Sequence, residues 1–488
     1  MSDKTFPFLK FHRALPAEVP VAVRVLGHGE IHGGYVNGDA ADQASRCIDC
    51  GNPYCSWGCP LNNRIPDWLK LVKDGRIEDA AELMHETNPL PEICGRVCPQ
   101  DRLCEGSCTL DAEFGAVTIG GIERWVTDEA LRRGWRPARP EVIPSGRRVA
   151  IIGAGPAGLA AADKLARAGV SVEVFDRYEE IGGLLTFGIP AFKLDKAVVR
   201  TRRGVLEELG VQFRLGVEIG RDIPFSSLLQ NYDAVFMGTG AYRYVDGALP
   251  GQDLPGVHAA LPFLIANARR LLGSTTDAES LPDLAGRKVV VLGGGDTAMD
   301  CVRSAIRLGA ARVSCVYRRD AANMPGSRRE VKYANDEGVE FLFQRQPLEI
   351  IGDAQQLKGV RVVQTRLIDD GRGRSRAETV AGSEELLAAD VVILAFGFQP
   401  SPPDWCASAG IETDSNGKLR VGGAGRLPYQ TAHPRVFAGG DNVRGADLVV
   451  RAVYDGREAA LAMLRQFETA TQPISITSPQ RAETCNVE

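Results

Sequence analysis

The sequence contains no run of about eighteen apolar residues, the least that crosses a bilayer as a helix. Its opening residues, MSDKTFPFLKFHRALP, lack the apolar core of a secretion signal, so the chain is expected in the cytoplasm. No basic block stands out and the net charge is −5, which argues against nucleic acid as a partner. Only six histidines are present, and they are scattered, which argues against a histidine metal site. No pairing of nucleophile and base, or of two carboxylates, stands out as a catalytic centre. Position 2 is Ser2, so no encoded cysteine there could become an N-terminal nucleophile. Cysteine is sparse over most of the chain, where only Cys301, Cys315, Cys406 and Cys485 occur, none in a CxxC pair. A dithiol that exchanges electrons through a disulfide is therefore not expected there, and Cys301 and Cys315 read as buried structural thiols.

What is present is concentrated. The chain has 488 residues, enough for two or three domains, with 44% hydrophobic and 24% charged residues as in ordinary globular proteins. Eight of its twelve cysteines fall between Cys47 and Cys108. They read Cys47-x2-Cys50-x4-Cys55-x3-Cys59-Pro60 and Cys94-x3-Cys98-Pro99-x4-Cys104-x3-Cys108. A disulfide knot fits a cytoplasmic protein poorly. Zinc sites favour paired CxxC knuckles, and Cys47 with Cys50 is the one such pair here. The longer gaps and the cysteine–proline pairs favour iron–sulfur ligation; zinc and a disulfide knot stay as alternatives. In the bacterial ferredoxin run the cysteine before proline serves the other cluster. The same crossing would place Cys47, Cys50, Cys55 and Cys108 at one 4Fe–4S centre, and Cys59, Cys94, Cys98 and Cys104 at a second.

Between the quartets, Ile65, Leu69 and Val72, then Ile77, Ala81 and Met84, mark the faces of two short amphipathic helices. A helical hairpin there would bring the quartets together. IERWVTDEALRRGW also reads as helix, and RPARPEVIPSG (136–146) as a linker, which closes a mainly helical N-terminal domain at residue 145.

Two dinucleotide fingerprints follow. Gly153-x-Gly155-x-x-Gly158 sits between an apolar strand and a helical pattern, with Asp176 ending the next strand. Glycines allow the tight turn and close approach to pyrophosphate, the helix N-terminus faces the phosphates, and the acid suits a ribose hydroxyl. The pattern returns at Gly293-x-Gly295-x-x-Ala298, but its second strand ends in Arg318 and Arg319. Guanidinium there suits the 2′-phosphate of NADP; a solvated surface pair is the alternative. Strand–glycine signals at AVFMGTGA, VVILAFGFQP and VFAGGD imply that the first nucleotide domain is interrupted by the second. The expected fold is α/β: two Rossmann-like dinucleotide-binding domains, over 146–285 with 396–488 and over an inserted 286–395, behind the helical domain.

GAGPAG, IGGLL, FGIP, GGGDTA, VYRR and VFAGGD, in this order, resemble the flavoprotein reductases with two dinucleotide-binding domains. The eight-cysteine front and FLKFHRALPAEVPVAVRVLGHGEIH resemble one branch, which includes the small (beta) subunits of bacterial NADPH-dependent glutamate synthase. The resemblance implies FAD in the first domain, at Gly153, Ala154, Gly155, Pro156, Ala157 and Gly158, with Asp176 on the adenosine ribose. The family more often has glutamate at this last position. Gly183 and Leu184 would line the flavin, Gly440 and Asp441 its ribityl or phosphate portion, and Leu448 and Val449 its pyrimidine edge. NADPH would meet Gly293, Gly294, Gly295, Asp296, Thr297, Ala298, Arg318 and Arg319. Flavin between nicotinamide and clusters is a sensible order, since it takes electrons in pairs and releases them singly. Hydride transfer between bound cofactors requires no catalytic side chain. The implied partner is the large (alpha) subunit with its FMN, which makes two L-glutamate from L-glutamine and 2-oxoglutarate, in a hetero-oligomer. Alternatives are an NADPH-oxidising subunit of dihydropyrimidine dehydrogenase or NADPH–ferredoxin oxidoreductase type, or a zinc-bound docking scaffold.

Overall fold

The structure, a computed structural model, describes residues 6–36, 38–137, 142–274, 281–354, 356–369 and 375–471. Residues 138–141 of the expected linker, Ser2 and Cys485 lie outside them.

Apolar runs such as Val149–Ile152 and Ala234–Met237 are buried on both faces, as parallel strands covered by helices must be. They form a five-stranded parallel sheet in the order Val436–Ala438, Ala234–Met237, Arg148–Ile152, Ser171–Asp176, Gln212–Leu215. Among the described residues, the strand nearest the C-terminus thus joins the sheet begun at residue 148. A second five-stranded parallel sheet runs Val257–Ala259, Val391–Leu394, Lys288–Leu292, Arg312–Tyr317, Glu340–Phe343. Its membership moves the expected start of the inserted unit from 286 to before Val257, which pairs with Val392. The helix Ala260–Leu272 packs with this second unit, where Phe263 and Leu264 share a core with Val289 and Met299. Three antiparallel strands, Arg345–Gly352, Leu357–Asp369 and Ser375–Ala388, add a further sheet to the unit. The two units join where Ala241–Tyr244 pairs antiparallel with Phe398–Pro400.

The N-terminal domain is helical. Ile65–Lys73 and Ile77–Thr87 form the hairpin, and Ile119–Arg132 packs against it around Trp68, Leu69, Met84 and Val126. A strap over residues 18–32 leaves this domain and lies against both nucleotide units. Ile31 N–H donates to Phe192 O of the first unit at 3.1 Å. Arg24 pairs with Glu337 of the second at 2.9 Å, and Tyr333 Oη donates to Glu18 at 2.7 Å. Among the described residues no helix is long and apolar enough to cross a membrane.

Candidate functional site: a dinucleotide cleft beside two thiol-lined cavities

The two glycine turns repeat each other closely. Gly153 has φ +103°, and a Cβ on it would stand 2.3 Å from Gly238 O; on Gly293 it would stand 2.3 Å from Ala395 O. Both positions therefore require glycine. A Cβ on Gly155 or Gly295 would meet open space, so both middle glycines face room that a pyrophosphate can fill. Gly158 packs differently: a Cβ there would lie 1.9 Å from Gly153 O, so this glycine seats helix against turn.

A cleft of about 870 Å³ opens between the units. Of the expected flavin residues, Gly153, Gly155, Pro156, Ala157, Asp176, Gly183, Leu184, Gly440, Asp441, Leu448 and Val449 line it, whereas Ala154 and Gly158 lie behind. Of the expected NADPH residues, Asp296 and Thr297 line it, and Gly293, Gly294, Gly295, Ala298, Arg318 and Arg319 do not. Asp176 also fastens the turn, accepting from Ala154 N–H at 2.7 Å and Tyr178 N–H at 2.8 Å. Burial raises its pKa, while those two donors lower it. The helix Val449–Thr471 begins at the cleft, so its positive end points in. Burial lifts the Asp441 carboxyl to about 7 against a lowering hydrogen bond from the Asp447 backbone, and the charges of Asp447 and Asp455 add to the rise. Asp455, fully buried, holds Gly440 N–H at 3.0 Å and Arg444 at 2.6 Å. Across the cleft Lys193 of the first unit pairs with Asp300 of the second at 2.9 Å. The Arg318 and Arg319 guanidiniums have no carboxylate partner among the described residues and stay available to a phosphate.

The cysteines sort into the two expected sets. Cys47, Cys50, Cys55 and Cys108 line one cavity, and Cys59, Cys94, Cys98 and Cys104 line another. None of the eleven described cysteines is in a disulfide. No three histidine, cysteine, aspartate or glutamate side chains close on a single-ion position among the described residues. The thiols instead ring cavities, as a multi-atom cluster requires and a lone zinc with ligands about 2.3 Å from one centre does not. Burial pushes Cys47 and Cys59 up to about 11 and Cys55 to about 12. Such thiolates need a cation among them. Three placements were missed in the sequence. Glu123 shares the second cavity with the four thiols, and its carboxylate accepts from Asn88 at 3.1 Å and Asn63 at 3.3 Å. Cys98, with Val97 and Pro99, lines the nucleotide cleft as well as the second cavity, and Ile119 lines both thiol cavities. Cys301 and Cys315 are fully buried in the second unit's core, as expected.

Residues 24–135 match the family described as dihydropyrimidine dehydrogenase domain II, 4Fe–4S cluster, and residues 147–456 match pyridine nucleotide-disulphide oxidoreductase. The glutamate synthase [NADPH] small chain of Halomonas elongata is 57% identical over 95% of this chain and 98% of its own. The chain belongs to the glutamate synthase small-chain family. Members of this family are oxidoreductases that use FAD, NADPH and 4Fe–4S iron–sulfur. The family match decides the metal question for iron–sulfur over zinc. The putative oxidoreductase AegA of Escherichia coli is 52% identical over 93% of this chain and 69% of its own. The structure of FprA from Mycobacterium tuberculosis in complex with NADPH shares the nucleotide fold at 20% identity. Its TM-score is 0.57, and the match covers 67% of this chain and 86% of that one.

Proposed function

We propose that the chain is the electron-input subunit of a glutamate synthase. NADPH oxidised at the second glycine turn would supply electrons that leave through two 4Fe–4S clusters. They would reach a large, FMN-bearing subunit, which forms two L-glutamate from L-glutamine and 2-oxoglutarate. The observation that carries this reading is Cys98, which borders both the nucleotide cleft and the second thiol cavity. Bound FAD supplies the conversion of the electron pair carried by one hydride into single electrons, and the clusters supply one-electron carriage.

The chain's own residues do the positioning. Gly153, Gly155 and Pro156 would seat the FAD pyrophosphate, with Asp176 fixing the turn. Leu448 and Val449 would present the helix N-terminus to the flavin, where its dipole favours negative charge. Asp296 and Thr297 would open the NADPH side, with Arg318 and Arg319 on the 2′-phosphate. Cys59, Cys94, Cys98 and Cys104 would hold the cluster nearer the cleft. Cys47, Cys50, Cys55 and Cys108 would hold the outer one, with Ile119 between the two cavities. A cytoplasmic location accords with this reading.

The chain prepared anaerobically should reduce ferricyanide with NADPH yet make no glutamate until the large subunit is added. Glutamate formed by the chain alone, or none with the large subunit present, overturns the proposal. The similarity to AegA favours a second reading, an electron-input unit for a different acceptor, such as dihydropyrimidine dehydrogenase or NADPH–ferredoxin oxidoreductase machinery. Identification of the copurifying partner separates the two.

A further inference from the structure

The loop between Cys98 and Cys104 reaches into the second nucleotide unit. Arg102 donates through Nη1 to Pro325 O at 3.1 Å and through Nη2 to Gly326 O at 2.7 Å. From the other side, Arg329 donates through Nη1 to Gln100 Oε1 at 3.0 Å. Gln100 is itself fixed: it is buried, its Nε2 donates to Gly95 O at 3.0 Å, and its carbonyl accepts from Leu103, Glu105 and Gly106.

The segment caught between the two arginines, Pro325–Gly326–Ser327, is bonded in turn to the second glycine turn. Gly326 N–H donates to Gly294 O at 2.9 Å, and Ser327 N–H to Asp296 Oδ1 at 2.8 Å. Asp296, Ser327 and Arg329 all line the cleft. An unbroken series of hydrogen bonds therefore runs from the cysteine loop to the turn that faces the nucleotide.

We infer that Arg102 and Arg329 are positioning residues for the pyridine-nucleotide site. Through them the cysteine-bearing domain completes that site, holding the 325–327 segment against the Gly293–Ala298 turn before the nucleotide arrives. A segment ordered in advance costs the ligand nothing to order, so the gain falls on nucleotide affinity rather than on the chemical step. The inference rests on reading the second turn as the NADPH site.

Arg102 is exposed and pairs with carbonyls only, which makes it the cleaner probe. In the reconstituted full chain, Arg102→Ala should raise the NADPH KM about five- to tenfold, part of the worth of hydrogen bonds from a charged donor, since Arg102 is exposed and acts on the nucleotide only through the segment it holds. The limiting rate with ferricyanide should stay within about twofold, because transition-state contacts are untouched. Arg102→Lys, which can still donate to the two carbonyls as a point charge, should recover part of the KM. FAD and iron contents are measured alongside; if Arg102→Ala loses iron, Arg329→Gln is read in its place and should raise KM likewise. An unchanged KM with intact cofactors, a rise that lysine fails to relieve, or a loss confined to the limiting rate overturns the inference. A wild-type chain unable to oxidise NADPH at all would instead sink the reading of the second turn.

Discussion

Arg202 and Glu92 face each other as a fork against a fork, Nε to Oε1 at 2.8 Å and Nη2 to Oε2 at 2.7 Å, inside the junction of the helical domain and the first nucleotide unit. Both side chains are out of solvent. His85 completes the group: its Nδ1 is 2.7 Å from Ala81 O and its Nε2 is 3.0 Å from Arg202 Nη2. Burial and the Arg202 charge keep His85 neutral, so Nδ1 donates to the carbonyl and Nε2 accepts. Glu92 lies on the short helix that carries Cys94, so this pair docks the second thiol cavity onto the first nucleotide unit.

Arg202→Met leaves the Glu92 carboxylate buried without its cation. Stability should fall by about 3–5 kcal/mol, the cost of breaking a buried pair from one side. Thermal unfolding of the cofactor-loaded chain measures this, and the double variant Arg202→Met/Glu92→Leu should recover much of the loss.

Cys98→Ser and Cys50→Ser should each remove about four of eight iron atoms, one cluster's worth. They differ in what NADPH can then reduce. Without Cys98 the cluster that remains lies beyond the missing one and should stay oxidised, while the flavin still bleaches. Without Cys50 the cluster beside the cleft should still be reduced. Anaerobic titration followed by electron paramagnetic resonance tells them apart, and identical behaviour would contradict the serial order.

Arg318→Ala and Arg319→Ala should each weaken NADPH about tenfold or more, since a charged hydrogen bond to phosphate contributes roughly 1.5–3 kcal/mol. NADH, which lacks the 2′-phosphate, should lose little. The ratio of kcat/KM for the two nucleotides is the measurement.

Lys196 is buried with its Nζ donating to Leu185 O at 2.7 Å and Ile189 O at 2.6 Å, on the backbone that lines the cleft. Burial lowers its pKa from 10.5 to about 7. Between these values the unfolded chain holds a proton that the folded chain has lost, so stability should rise with pH from about 7 to about 10.5. Lys196→Met should flatten that slope and, through the two lost hydrogen bonds, loosen FAD. Unfolding midpoints across this pH range and FAD retention on gel filtration check both.

The glycine turns were readable because they are constraints on backbone: Gly153 and Gly293 each stand against a carbonyl that any Cβ would strike. The sorting of the cysteines about two cavities was readable only through the ferredoxin crossing at the cysteine–proline pairs, because each set joins thiols from both quartets. Val257–Ala259 was not, because three residues carry no period and their partner strand lies far along the chain. Glu123 was hidden for another reason: on a helix it reads as one more solvated acid, and only packing shows it facing thiols. Arg24 and Arg102 likewise read as surface charges, since the groups they bind belong to a different domain. Distances within a motif are written in the sequence, whereas pairings across domains are settled by the fold.

The strap over residues 18–32 bears on how this protein can be divided. Glu337, wholly enclosed, is neutralised by Arg303 and Arg307 of its own unit and by Arg24 of the strap. Arg307 also donates to Gly27 O, and Phe192 lies beneath both Arg303 and Arg307. Excising the nucleotide-binding half at residue 146 would therefore not yield a self-sufficient reductase: it would strip one wall from a charged interior and let water onto a carboxylate sealed from it. The helical domain thus supplies part of the interior on which the nucleotide-binding half is built.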